Sequence, residues 1–163
     1  MANRYLVAGG NGQWNSTSNW SATSGGAAGA SVPVAADTVI FDAASANASI
    51  TVDVASICTS ITASSYTGTL TVNSTLTCST GFTFSTGMTC AGTGTITVTS
   101  SATLTSNGVV FPGTLIVTAS STITTTDSLT VGTLSFNSTS GSPVLTGGTI
   151  NTSSLTSANL SSG

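Results

Sequence analysis

Only 3% of the 163 residues are charged, against about a quarter in an average protein; they are Arg4, Asp37, Asp42, Asp53 and Asp127, with no Lys, Glu or His, and the net charge is −3. That inventory lacks the clustered cations that neutralise nucleic-acid phosphates and most of the groups that act as general acids and bases. Disorder is disfavoured too, because 39% of the residues are hydrophobic, whereas disordered chains combine low hydrophobicity with high net charge.

Ser and Thr make up well over a third of the chain, and the β-branched Thr, Val and Ile favour strands. No segment carries an i, i+3, i+4, i+7 apolar stripe, so the expected class is all-β. The opening MANRYLVAGG lacks the apolar core of a secretory signal. No run approaches the roughly 18 apolar residues of a membrane helix, and no membrane partner is expected.

In chain order, residues 1–45 differ from the rest of the chain. They hold Tyr5, both tryptophans (Trp14 and Trp20), the single Arg and two of the four Asp residues. GNGQWNSTSNW reads as a polar loop and SGGAAGAS as a glycine-rich one. VPVAADTVIFD then enters a strand, with Pro33 just before it, where no ladder donor is needed. This stretch is expected to be a compact N-terminal capping or attachment module.

From residue 46 to 163 the chain is repetitive. GTLTVNSTLT, GTITVTSSATLT, GTLIVTASSTIT and GTLSFNSTSGSPVLT begin at Gly68, Gly94, Gly113 and Gly132, and a weaker GTI begins at Gly148. Repeat periods near about 20 residues are those of stacked solenoid rungs. Within units the alternation is strict: Ile96 and Val98 share one face, with Thr95, Thr97 and Thr99 on the other. Ile50, Val52 and Val54 repeat the pattern, as do Leu70 and Val72, Leu115 and Val117, and Leu134 and Phe136. One rung cannot bury its apolar face alone; stacked rungs make a continuous core and a hydroxyl-rich exterior. A β-helix or β-solenoid of Thr-rich rungs with a Trp-containing N-terminal cap is therefore expected, a β-sandwich or jelly roll being the alternative. The tail TSSLTSANLSSG offers no cap, so self-association or continuation of the protein is expected at that end.

The chemistry is sparse. Asp37 and Asp42 stand an odd number of residues apart in an extended run, on opposite faces and roughly 16 Å apart at strand rise, which does not suit paired glycosidase carboxylates. Asp53 and Asp127 could meet only across rungs or subunits. A Ser triad lacks its His, GGNGQW lacks the strand and basic residue of a phosphate loop, and no EF-type spacing accompanies Asp37 and Asp42. No catalytic residue, cofactor or metal is expected, and the chain is read as no enzyme. Cys58, Cys78 and Cys90 are an odd set. They suit small residues of a β core, with a Cys78–Cys90 disulfide or an inter-subunit bridge as alternatives. Trp14 and Trp20 suit a small core or an interface, or else an exposed platform for sugar rings.

The stretch from Met1 to Val7, with Gly10, Gly12, Trp14, Asn19, Trp20, Ser21, Gly25, Gly26, Pro33, Asp37, Val39, Phe41 and Asp42, resembles the opening of a group of tailed-bacteriophage virion structural proteins. Their pattern is an MANRYWV start, a Gly-x-Gly-x-Trp turn, NWS, a glycine-rich loop and P-x-x-x-D-x-V-x-FD; Leu6 stands where an aromatic residue is usual. A looser NWS…P…D…V…F pattern also looks like passenger repeats of bacterial autotransporter adhesins. The first resemblance implies a non-enzymatic capsid decoration or fibre protein, located in a virion assembled in the host cytoplasm. Its implied partners are other capsid or tail proteins and further copies of the chain, a trimer by analogy with phage fibres. Tyr5, Trp14, Trp20, Asp37, Phe41 and Asp42 are the candidate capping or attachment residues. A host-surface glycan is the partner implied by the alternative adhesin or receptor-binding reading.

Overall fold

The structure, a computed structural model, describes residues 1–118, 122–137 and 143–158, with residues 157 and 158 described by backbone alone. The turns expected within TASSTIT and NSTSGSP, and the end of the tail, lie partly outside these residues. The described chain is a β-solenoid whose strands lie in three sheets.

The first turn carries β1 (Asn3–Leu6), β2 (Asn11–Gln13), a 3-10 turn (Thr17–Asn19) and β3 (Trp20–Ser21). Three complete turns come next: β4 (Thr38–Phe41), β5 (Ser49–Val52) and β6 (Ser56–Cys58); β7 (Ser60–Ala63), β8 (Thr69–Val72) and β9 (Thr75–Cys78); β10 (Gly81–Thr83), β11 (Thr89–Ala91) and β12 (Thr95–Val98). Beyond them, one long bent strand replaces two short ones. β13 (Ala102–Thr105) leads to β14 (Val110–Thr118), β15 (Thr122–Thr125) to β16 (Leu129–Asn137), and β17 (Val144–Gly147) to β18 (Ile150–Ala158).

Every strand pairing among the described residues is parallel except that of β3 with β1. The jelly-roll and sandwich alternative, which needs antiparallel neighbours, is thereby excluded. The stack runs through residue 45 without a break, since β4 before it pairs with β7 after it.

From β4 onward, residues in register are 19 to 22 positions apart. Their inward side chains form columns: Leu76, Ile96, Leu115 and Leu134 in one sheet, and Val39, Ile61, Phe82 and Leu104 in another. All eight are buried, and full burial of such a side chain is worth about 1.5–3 kcal/mol relative to exposure. Ile50 and Val52 are buried as expected, but Val54 is 41% exposed. β5 ends at Val52, so the chain has already left the strand when it reaches Val54.

The GT repeats mark two different corners. Gly94, Gly113 and Gly132 stack above one another at the corner that the bent strands turn. A Cβ on Gly113 would lie 2.3 Å from the Gly94 carbonyl, and one on Gly132 2.0 Å from that of Pro112. Gly68 and Gly148 lie instead at the preceding corner, where a Cβ would strike the carbonyls of Ala48 and Asp127. The irregular repeat spacing thus mixes two corners of a nearly regular coil.

All three cysteines are free and buried. Cys58 and Cys78 are register neighbours, with the Cys58 thiol 3.7 Å from the Cys78 sulfur. Cys90 lies in a different sheet beside Leu70, so the structure forms no Cys78–Cys90 bridge. Burial pushes the Cys90 thiol up to about 12. Because all three sulfurs are buried away from solvent, the thiols are expected to resist Ellman's reagent in the folded protein and to react together once denatured. Rapid labelling of the folded chain would contradict the packing described.

Candidate functional site

The candidate residues gather at the N-terminal end of the solenoid. After β2 the chain stays in register for one more residue, and the Trp14 amide donates to the Thr51 carbonyl at 2.8 Å. The 3-10 turn then reverses it so that β3 runs antiparallel along the outer edge of β1, Leu6 opposite Trp20. This turn, which the reading of GNGQWNSTSNW as a polar loop leaves unspecified, brings the two indoles together. Their rings meet edge to face with centroids 4.9 Å apart, and Trp20 Nε1 donates to the Trp14 carbonyl at 2.7 Å.

Trp14 and Trp20 are 1% and 0% exposed. They are the core of the cap, and neither offers a ring face to a sugar. Asn19 fastens the same turn, its Nδ2 donating to the Gln13 carbonyl at 2.8 Å. The Trp20 carbonyl accepts from the amides of Gly29 and Ala30, which draws the glycine-rich loop across this end.

Asp37 is buried at the foot of β4. Its carboxylate accepts from the Ala2 amide at 3.0 Å and lies 3.6 Å from the Arg4 guanidinium. Arg4 stands in register with Val39, an inward position, and also donates to the carbonyl and hydroxyl of Ser31. A charged group thus closes the top of an apolar column, one of the means by which natural sheets protect an edge. Phe41 is fully buried against Tyr66, with centroids 5.1 Å apart. Asp42 caps the 3-10 turn Ala43–Ser45, accepting from the amides of Ala44 and Ser45. Tyr5 is half-buried on β1, and its hydroxyl accepts from Asn3 Nδ2 at 3.3 Å.

Of the six residues, Trp14, Trp20, Asp37 and Phe41 are buried and support the cap from within. What the end presents outward is an open groove of about 500 Å³ between Val7–Asn11 and the Gly25–Ala28 loop, lined by backbone, small side chains and Asn19, with no ionisable side chain.

The remaining carboxylates stand apart. Asp53 comes after β5 and Asp127 after β15, at different corners of the coil, so within one chain they form no pair. Among the described residues, no three Cys or Asp side chains come together as a metal ion would require.

Asp127 ties neighbouring turns together. It accepts from the Ser106 amide and hydroxyl, both at 3.0 Å, and from the Asn107 amide. Partial burial pushes its carboxyl up, but these hydrogen bonds outweigh that effect and hold it below the usual aspartate value. A depressed pKa contributes stability above the unfolded-state value and loses it as the pH falls through the folded one. Asp127→Asn is therefore expected to cost about 1 kcal/mol near neutral pH. Denaturant titrations should show the gap to wild type closing as the pH drops through the acidic range; a gap unchanged by acid would refute the assignment.

Sequence reasoning passed over Tyr66, which is fully buried and donates from its hydroxyl to the Ala48 carbonyl. The available signal was an aromatic residue two positions before the GT unit at Gly68, where a corner must be filled.

The chain matches no family model, no curated protein and no solved structure.

Proposed function

We propose that this chain is a non-enzymatic structural component of a tailed-phage virion, an exposed capsid decoration or fibre protein that assembles with other virion proteins and with its own copies. The observation that carries the reading is the β-solenoid itself. It has a buried aliphatic core and outward rows of hydroxyls, such as Thr75, Thr95, Thr114, Thr133 and Ser154 in register along one sheet. Such a stack gains length by adding turns, which suits a projecting element.

The N-terminal stretch that resembles phage virion proteins is the part of the chain that folds over one end of the stack. In this reading the cap is held together by its tryptophans and docks through its exposed surface, where Val34 is 51% exposed. The adhesin alternative loses its aromatic platform through the burial of both indoles and would have to rest on the hydroxyl faces.

Immunogold labelling of purified particles of the encoding phage, with copy number from quantitative mass spectrometry, tests the proposal. Many copies over the head identify a decoration protein, and a few copies at the tail a fibre. Absence from the purified particle overturns the reading. Attachment through the cap is better tested with Val34→Asp than by truncation, because removing residues 1–45 would also strip away β1, β2 and β4 and bare Ile50 and Ile61.

A further inference from the structure

The sheet that runs through β9, β12, β14 and β16 carries two adjacent outward files of side chains. Thr75, Thr95, Thr114 and Thr133 stand in register in the first. Two residues further along each strand, Thr77, Thr97, Ile116 and Ser135 form the second. All eight are exposed or half-buried. Among the described residues, none of the seven hydroxyls in the two files bonds to the protein. On another face of the coil, by contrast, the hydroxyls of Thr105 and Thr126 bond each other, as do those of Thr124 and Thr146. Between the two files the chain turns Leu76, Ile96, Leu115 and Leu134 inward, all buried, so the hydroxyl rows stand on a packed aliphatic backing.

From this geometry we infer that the double file is an ice-binding face, its ligand the ordered water at the surface of hexagonal ice. Neighbouring rungs of a parallel stack lie about 4.8 Å apart, and alternate residues of a strand about 6.6 Å apart. The oxygen repeats of hexagonal ice along its a and c axes are close to these two spacings, the first slightly shorter and the second slightly longer. Threonine brings both groups such a surface needs. Its hydroxyl can take a place in the water lattice, and its methyl is an apolar point around which water orders. The β-branched side chain is stiff at χ1, so the array is arranged before it binds and little side-chain freedom is lost. The same face suits other extended ligands poorly. β9, β12, β14 and β16 contain no charged residue, so a phosphate or an acidic polymer finds no counter-charge. Neither file holds an aromatic ring, the flat surface on which a polysaccharide chain would stack. The inference depends on this sheet alone and stands whether or not the chain is a virion component.

Nanolitre osmometry of the full chain tests this. The protein should shape a single ice crystal into facets and halt its growth over a temperature gap that widens with protein concentration. Thr97→Lys places a long charged side chain in the middle of the files and should abolish both effects. Thr62→Lys, at an exposed position on another sheet, should leave both unchanged. Melting curves of the two variants beside wild type separate loss of the face from loss of the fold. A second readout needs no variant: wild type should be enriched in slowly grown ice, from which a non-binding protein of similar mass is excluded. Round crystals with no gap, exclusion of wild type from the ice, shaping that survives Thr97→Lys, or equal loss in both lysine variants would each overturn the inference. Binding to powdered cellulose or chitin without any effect on ice would overturn it too, and would assign the face to a crystalline polysaccharide.

Discussion

Replacing Gly81 with Ala is expected to lower stability by about 4 kcal/mol, most of the margin of a typical domain. Gly81 opens β10 with φ at +105°, a conformation that costs a side-chain-bearing residue about 1–3 kcal/mol. The new methyl would also lie 2.2 Å from the Thr103 carbonyl on the next turn. That atom belongs to the pairing of β10 with β13 and cannot rotate away, so overpacking adds another ~1–3 kcal/mol. In a stack where each turn contacts only its neighbours, the damage falls midway along the coil. Thermal melting should shift down by about 8–16 °C, and hydrogen exchange should quicken first across β10 and β13. Thr62→Ala, on an exposed outward position of β7, should stay within about 0.5 kcal/mol of wild type. Similar melting curves for the two variants would show that the Gly81 approach is not as close as described.

Trp20→Ala should be comparably severe but act at the end of the coil. Truncating a fully buried Trp costs about 3–5 kcal/mol. Here it also removes the Nε1 donor from the Trp14 carbonyl and the edge-to-face contact with Trp14. β3 would no longer be held on β1, and the released β1 edge is a template for pairing with other chains. The expected phenotype is exchange of residues 1–41 without loss of protection across β8, β9 and β12, together with concentration-dependent aggregation. Trp20→Phe should restore part of the packing but not the hydrogen bond. If Trp20→Ala kept the N-terminal amides protected, the indole pair would not be the core of the cap.

The solenoid was legible because one rung's burial problem is written into a few residues. Alternation such as Thr95-Ile96-Thr97-Val98 fixes which side chains point inward, and its repetition requires neighbours of the same kind. The cap was legible only as a composition. Two tryptophans in a polar loop announced an unusual local structure, but their spacing left a small core, an interface and an exposed platform all open. Their burial depends on the 3-10 turn at Thr17–Asn19, which carries no apolar periodicity.

What the sequence determined by itself is the class and the logic of the fold: an all-β stack of Thr-rich rungs with aliphatic columns inside, in a chain nearly free of charge. Period-two alternation and a repeat near one turn are local properties, and burial results from them. Only the tertiary structure decided which corner each GT unit occupies, that Asp127 reaches back to Ser106 and Asn107, and that Cys78 and Cys90 stay apart. It alone also decided that β3 folds back along the edge of β1 and brings the two indoles together. Those outcomes depend on which turn lies above which, and small changes in turn length, 19 residues in one place and 22 in another, move a side chain from one corner to the next. The local pattern stays the same when that happens, so only the assembled coil can report it.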